Sequence, residues 1–288
     1  MDVRKRSLLE IHIAVLLFGL TGLFGKFISV SAPYIVLGRV VFATIFLGAV
    51  FAVRKTNIKL GSAKTYCTVF VLGLLLAAHW TSFYMSVQVS TVAIALLTFS
   101  SYPLVVTFIE PIMFHEKLKK IDVVFSLVMF CGVLLIIPEF NLDNNLTLGT
   151  LWGLLCCITF AFMSLLNRKL AGRYSGSLIA FYEQSAAAVI LLPILFILPL
   201  PKVTSADWAL LVLLGVIFTG VAHSMFIGGM RAVRAQTAGI IASLESVYGI
   251  ISAALILGEV PSVREIIGGV IILGTAFYSS LRSSRENK

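Results

Sequence analysis

Charged residues are scarce in this 288-residue sequence. They make up 12% of it, about half the share of roughly 25% found in soluble domains. Hydrophobic residues make up 59%, and the mean hydropathy is +1.03. A soluble fold of this size needs a polar exterior, which so few polar residues cannot build. The composition therefore argues against a soluble enzyme, a disordered protein and a nucleic-acid-binding domain.

The common motifs of catalysis and metal binding are missing as well. His115-Glu116 begins like a zinc-protease motif, but Lys119 stands where its second histidine would be. No Gly-x-x-x-x-Gly-Lys-Ser/Thr loop for nucleotide phosphates occurs. We interpret the cysteines as small packing residues, because none has the spacing of a metal site: Cys67, Cys131, Cys156 and Cys157. We expect neither enzyme activity nor a cofactor.

Long hydrophobic runs dominate the sequence instead. Ten of them are separated by charged residues or by Pro, Gly and Asn, and each can cross a hydrocarbon core of about 30 Å as a helix. They lie at 8–28, 34–53, 65–86, 90–114, 121–138, 148–167, 177–199, 207–229, 233–257 and 264–281. The pattern predicts an all-α integral membrane protein with ten transmembrane helices, surrounded by a lipid bilayer.

The basic residues predict the orientation of the spans. With the N-terminus inside the cell, all but four of the 22 Lys and Arg residues fall in segments on the cytoplasmic side. Of the four others, Lys202 and Arg264 lie outside, and Lys26 and Arg39 lie in spans near their outer ends. Such asymmetry predicts a multi-pass protein of the cytoplasmic (inner) membrane with both termini in the cytoplasm. It also accounts for the net charge of +9 without a nucleic-acid partner.

The two halves of the chain resemble each other at a nearly constant offset. Four pairs of identical residues lie 143 or 144 positions apart in corresponding spans: Lys26 with Lys169, His79 with His223, Ser100 with Ser243, and Glu116 with Glu259. Five spans per half is an odd number, so the second half must enter the membrane with the opposite orientation. We predict two inverted five-helix repeats, at 8–138 and 148–282, as is typical of secondary transporters. A duplicated scaffold that only packs is the alternative.

Several short motifs resemble those of the EamA family in the drug/metabolite transporter superfamily. Arg39 stands early in the second span, Pro103 lies in the middle of the fourth, and an acidic residue follows the fourth and ninth spans, in Phe114-His115-Glu116 and Leu257-Gly258-Glu259. The resemblance covers almost the whole chain. It implies a ten-helix transporter that moves small metabolites or toxic compounds, often outward. The family handles too many kinds of compound for the resemblance to name a substrate.

A polar cluster in the middle of spans four and nine is the predicted substrate site. Glu245 is its most informative member, because a carboxylate at mid-membrane costs several kcal/mol unless it is solvated or paired. Tyr102 is its counterpart in the first repeat. We interpret Glu245 as binding an amine or another cation, or as carrying a coupling proton; a buried acid that only packs is the alternative. The predicted site residues are Glu245, His79, Tyr102, Ser100, Ser243, His223, Trp80 and Tyr84.

Other ionisable residues within the spans are expected to have structural or gating roles. Glu183 lies close to the predicted cytoplasmic end of the seventh span, where water could reach it. Lys26 and Arg39 are placed near outer helix ends, where they can reach the aqueous interface or exposed backbone carbonyls.

The leading hypothesis is a secondary transporter that exports small metabolites, such as amino acids or related amines, by alternating access. A subunit of a lipid-linked sugar flippase and a multidrug exporter of quaternary ammonium compounds are the alternatives. An intramembrane enzyme would need converging nucleophiles or metal ligands, and a channel would need a polar face along several spans; we find neither pattern. We expect a small-molecule substrate, protons as a candidate coupling ion, and a monomer or a homodimer.

Overall fold

The computed structural model describes residues 3–114, 118, 120–137, 141–230 and 241–286. Glu116 and most of the segment before Glu245 lie outside these residues. Within them the chain forms α1 (Val3–Phe27), α2 (Ala32–Val53), α3 (Ala63–Val89), α4 (Val92–Phe99), α5 (Tyr102–Phe114), α6 (Lys120–Ile136), α7 (Asn145–Ala171), α8 (Gly176–Leu191), α9 (Ile194–Ile197), α10 (Ser205–Gly215), a π-helix (Val216–Val221), α11 (Ala222–Gly229), α12 (Leu244–Leu257) and α13 (Val263–Glu286). No strand occurs in the described part of the chain.

The helices reproduce the predicted hydrophobic runs. In the described residues, seven helical stretches are long and apolar enough to cross a membrane: Lys5–Phe27, Ala32–Val53, Ala63–Val89, Val92–Met113, Asn145–Ala171, Gly176–Ile197 and Ser205–Gly229. The shorter apolar helix α12 lies in the predicted ninth span, and α6 and α13 lie in the fifth and tenth. The prediction of an all-α multi-pass membrane protein is confirmed.

The fourth predicted span is broken in its middle. The α4 helix ends at Phe99, Ser100 and Ser101 form a turn, and α5 starts at Tyr102. Pro103 explains the break, because it lacks a backbone N–H and its ring would clash with the carbonyl of Phe99 in a continuous helix. The break leaves backbone groups that need hydrogen-bonding partners in the membrane interior.

Glycines bring α1 close to three neighbouring helices. A Cβ atom on Gly19 would lie 2.8 Å from the backbone oxygen of Glu245, and Gly249 faces Gly19 from the other side. A Cβ on Gly22 would collide with Val92, and one on Gly25 with Val87, each at 2.8 Å. Small residues permit such close backbone approach between membrane helices. Gly19 therefore allows the backbone of Glu245 to lie close to α1.

We expect Gly19→Ala to destabilise the protein, because the added methyl group meets the backbone of α12 rather than a side chain that can move away. The cost should be about 1–3 kcal/mol, seen as a lower midpoint of thermal unfolding in detergent. Gly274→Ala is the matched control, because Gly274 lies in α13 with nothing within 4 Å of its Cβ position. Helix propensity alone should make that control neutral or stabilising by up to about 1 kcal/mol. Equal midpoints for both variants would contradict the prediction.

Candidate functional site

Arg39 is a buried cation in the core of the helix bundle. Its residue is only 2% exposed. Its Nε donates a hydrogen bond to Thr219 Oγ1 at 2.9 Å, and its Nη1 donates to the hydroxyl of Tyr84 at 3.3 Å. The guanidinium carbon lies 3.7 Å from the centre of the Trp80 ring, within the range of a cation–π contact. The sequence predicts that Arg39 can reach the aqueous interface or exposed carbonyls at a helix end. Its side chain instead contacts buried side chains of α3 and the π-helix.

Glu245 lies in the first turn of α12 and within electrostatic range of Arg39. Tyr102 and Cys156 are also within the electrostatic reach of its carboxyl group. The side chain is half-buried, and no described residue donates a hydrogen bond to its carboxylate. An acid placed in a membrane interior without such a partner is a candidate for binding a cation.

The two helix junctions of the predicted repeats face each other. Ser100 follows α4 and Ser243 precedes α12, so the two residues occupy equivalent positions, 143 apart in sequence, at a local break. Ser246 Oγ donates to the backbone oxygen of Leu96 at 3.1 Å and lies 2.5 Å from Ser100 Oγ. Leu96 O also accepts from Ser100 N at 2.9 Å, so Ser246 of the opposite half adds a second hydrogen bond at the end of α4.

A small cavity lies between these junctions. It has a volume of about 20 Å³ and is lined by Phe99, Ser100, Tyr102, Pro103, Ala242, Ser243 and Ala276. That volume is enough for about one water molecule, whereas small-molecule sites usually measure about 300–1,000 Å³. A metabolite would enter this space only if the helices around it moved apart.

An aromatic cluster borders the same region. The Tyr102 ring stacks on Phe99 with centroids 5.6 Å apart and meets Phe160 edge-on at 4.9 Å. The His79 ring lies 5.1 Å from Phe160, and its Nδ1 is 3.0 Å from the backbone oxygen of Cys156. Since His79 is buried and has this backbone partner, it supports the wall of the site in the conformation observed.

His223 forms a second polar centre with Glu183. Their Nε2 and Oε2 atoms are 3.0 Å apart, and both residues are buried. The ring of His223 also meets Trp80 at a centroid distance of 5.8 Å. The expectation that Glu183 would be an ordinary, water-accessible acid is wrong, because packing leaves it with 0% exposure.

At one end of the bundle, an ion pair connects the two halves of the chain. Lys26 Nζ lies 3.3 Å from Glu259 Oε1 and donates to the backbone oxygen of Ser90 at 2.7 Å. The second carboxylate oxygen of Glu259 accepts a hydrogen bond from Val92 N at 2.9 Å, at the start of α4. This carboxylate is well placed there, because the N-terminus of a helix favours negative charge. The pair therefore ties the end of α1 to the loop after α12.

The structure brings most of the predicted site residues close to Arg39 or to the cavity. Trp80 and Tyr84 contact Arg39, whereas Ser100, Tyr102 and Ser243 line the cavity. His79 and His223 lie on either flank, bonded to Cys156 and to Glu183.

Sequence analysis missed the central positions of Arg39, Thr219 and Glu183. A charge inside an apolar span is a useful signal by itself, because such residues usually face the bundle interior and serve function. That signal was present for Arg39 and Glu183. The threonine could not be found in this way, since hydroxyl side chains are common in membrane helices.

Known proteins similar to this chain are transporters. It is 23% identical to the uncharacterized transporter YxxF of Bacillus subtilis, over 99% of this chain and 93% of that protein. It is 24% identical to the pseudopaline exporter CntI of Pseudomonas aeruginosa, over 95% of each chain. A solved crystal structure with 19% sequence identity has the same fold, with a TM-score of 0.70 over 98% of this chain and 99% of the other.

The match to a family is equally extensive. The model of the EamA-like transporter family matches residues 6–137 and 147–281, one segment in each predicted half. Together with the multi-pass helical fold, this match shows that the chain belongs to the EamA-like transporter family.

Proposed function

We propose that this protein exports small amine-bearing metabolites, such as amino acids or related amines, across the cytoplasmic membrane by alternating access. The observation that carries the proposal is the Glu245 carboxylate, which lies between the two halves without a hydrogen-bond donor among the described residues. An ammonium group can donate the missing hydrogen bond and form a close ion pair with the carboxylate. The similarity to an exporter supports the outward direction.

Arg39 supports the same assignment. Its fixed positive charge lies within electrostatic range of Glu245, so the site holds both signs of charge in the membrane interior. A zwitterionic amino acid has a carboxylate that can pair with Arg39 and an ammonium group that can pair with Glu245. Since Trp80, Tyr84 and Thr219 hold the guanidinium in place, little ordering remains to be done when a substrate arrives.

The size of the cavity favours alternating access over a permanently open path. At about 20 Å³ it cannot contain a metabolite, so loading requires a rearrangement of the surrounding helices. Two halves with opposite topology can rearrange towards either side of the membrane around one central site. Within the described residues, the helices around this cavity are therefore closed to a substrate.

A panel of radiolabelled compounds in proteoliposomes tests the proposal. L-lysine, neutral amino acids, choline and nucleosides would be offered, with and without a pH gradient, and uptake would be compared with that of empty liposomes. We expect saturable transport of at least one amine-bearing compound and none of nucleosides. Transport of none of the amines by correctly folded protein would overturn the proposal.

Quaternary ammonium compounds are the second candidate substrates, on a specific observation. The rings of Phe99, Tyr102 and Phe160 form a compact cluster next to the cavity, and aromatic faces bind quaternary cations well. Choline in the panel separates the two possibilities. If choline competes with L-lysine while neutral amino acids do not, the site selects for cations rather than for zwitterions.

The Lys26–Glu259 pair is expected to keep its end of the helix bundle closed. The distribution of basic residues predicts that this end faces the outside of the cell. Glu259→Gln should weaken this closure by about 1 kcal/mol, the upper range for a partly exposed ion pair, or about fivefold in the population of the outward-open state. The readout is the rate at which an impermeant maleimide labels Ala242→Cys at the cavity, in a chain whose native cysteines are replaced.

The control for this prediction is Glu10→Gln, which removes another partly exposed ion pair, the one between Glu10 and Arg6 within α1. That change should leave the labelling rate from outside unaltered. Unaltered labelling in Glu259→Gln as well would show that the pair does not hold the outer end closed.

A further inference from the structure

The buried Glu183–His223 pair has no part in the substrate binding proposed at Glu245. It joins α8 to α11, with 3.0 Å between the carboxylate oxygen and the ring nitrogen. Glu183 is fully buried and His223 is 7% exposed. In such surroundings an isolated carboxylate is strongly disfavoured. One added proton held on the imidazole ring, beside the ionised carboxylate, gives the pair a net charge of zero.

The pair is less completely satisfied than a structural ion pair would be. Glu183 Oε1 is buried and has no hydrogen-bond partner among the described residues, and the same is true of both amide atoms of the adjacent Gln184. Buried polar atoms that only stabilise packing are nearly always hydrogen-bonded. The free oxygen leaves Glu183 able to accept a second proton while its other oxygen stays bonded to His223.

A short path of contacts joins this pair to Arg39. Trp80 contacts both, with its ring 3.7 Å from the guanidinium carbon and 5.8 Å from the His223 ring. The π-helix Val216–Val221 provides a second connection, because Thr219 binds Arg39 and His223 follows one helical turn later. Single turns of π-helix occur frequently at functional sites. Trp80 and the π-helix therefore connect a charge gained on the pair to Arg39.

The surrounding helices present few charges to the pair. Phe18 of α1 faces His223. The ionisable residues nearest to it along α1 are Glu10, which is half-buried and pairs with Arg6, and His12, which is exposed. In the middle of the helices packed around α8 and α11, the ionisable groups are Arg39 of α2, His79 and Tyr84 of α3, Cys156 and Cys157 of α7, and Tyr182 of α8 itself. Glu245 of α12 lies beyond Arg39. Among these groups Arg39 carries a permanent charge, and it is positive.

We propose that Glu183 and His223 form a proton-binding site that couples export to the proton gradient, an inference that rests on the transport function proposed above. The pair takes up one proton from the outer side, which converts the neutral pair to a neutral Glu183 beside a charged imidazolium. The added positive charge repels Arg39 and a cationic substrate, and so favours release of the substrate. The same proton leaves to the inner side, and the pair returns to net neutrality without any other reactant.

Two transport assays test the coupling. L-lysine, or choline if that is the compound transported, would be measured in exchange at equal pH on both sides, and in flux driven by an imposed pH gradient. In Glu183→Gln we expect exchange within twofold of the wild type and loss of the stimulation by the gradient. His223→Gln should also lose the stimulation by the gradient. Unchanged stimulation in both variants would overturn the proposal.

A measurement without substrate separates this proposal from the transport function. Infrared difference spectra of the purified protein, recorded between acidic and basic pH, should contain a carboxyl band that is absent in Glu183→Gln and retained in the control Glu10→Gln. A spectrum identical in wild type and Glu183→Gln would overturn the proton site even if transport is found. The band without any transport of the probes would support the proton site and contradict the transport function. If Glu183→Gln does not fold, His223→Gln provides the same comparison through the pH at which the band develops.

Discussion

Replacing Glu245 with glutamine is expected to reduce transport of the amine substrate about 10- to 100-fold. The variant keeps the shape of the side chain but removes the negative charge that would bind the ammonium group. A hydrogen bond to a charged group contributes about 1.5–3 kcal/mol, and each 1.4 kcal/mol corresponds to a factor of ten. The measurement is the initial rate of uptake into proteoliposomes at several substrate concentrations, with the loss seen mainly as weaker binding.

Glu245→Asp and Glu10→Gln are the controls for this variant. Aspartate keeps the charge on a shorter side chain, so part of the activity should return. Glu10 pairs with Arg6 near the start of α1, and its loss should leave the rate within twofold of the wild type. Unchanged uptake in Glu245→Gln, with a normal unfolding midpoint, would show that Glu245 only packs.

Arg39→Lys is expected to lower both stability and transport, although it keeps the positive charge. The flat guanidinium binds Thr219 and Tyr84 while its face covers the ring of Trp80. A lysine ammonium cannot make all three contacts together, because it is a compact point charge on a flexible stem. The lost cation–π contact contributes about 2 kcal/mol in a desolvated site, and one lost charged hydrogen bond about 1.5–3 kcal/mol. We expect a fall of several degrees in the unfolding midpoint and a loss of transport of at least about tenfold.

Arg54→Lys is the matched control, because Arg54 is exposed just after the end of the same helix. It should behave like the wild type in both measurements. Thr219→Val removes one partner of Arg39 and should reproduce part of the defect. If Arg39→Lys retains full stability and transport, the buried contacts of the guanidinium contribute nothing that a simple charge cannot.

The helical spans could be predicted because a membrane helix satisfies its own backbone hydrogen bonds. Its sequence therefore needs only length and apolarity, which are local properties. The break in the fourth span follows from Pro103, whose effect is also local. Ser246, which bonds to Leu96 and Ser100 beside the break, lies in the other half of the chain, and no property of the sequence around Pro103 specifies it.

The sequence predicts which residues belong to the candidate site, but it does not predict how they are arranged. Glu245 stood out because an acid in an apolar run is conspicuous, and the repeat offset added Tyr102, Ser100 and Ser243. By the same measure Arg39 is as conspicuous as Glu245. Its position along the span does not decide whether it is buried, because burial depends on which face of α2 meets α3 and the π-helix.

Scarcity of charge, long apolar runs and their 143-residue offset determined the class of protein, the multi-pass fold and the candidate acid. These properties belong to single segments or to the spacing between them, so a linear sequence contains them in full. Only the tertiary structure decided that Arg39 meets Thr219, that Glu183 meets His223 and that Lys26 meets Glu259. Such pairs depend on helix rotation and close approach, which are set by packing between segments remote in sequence.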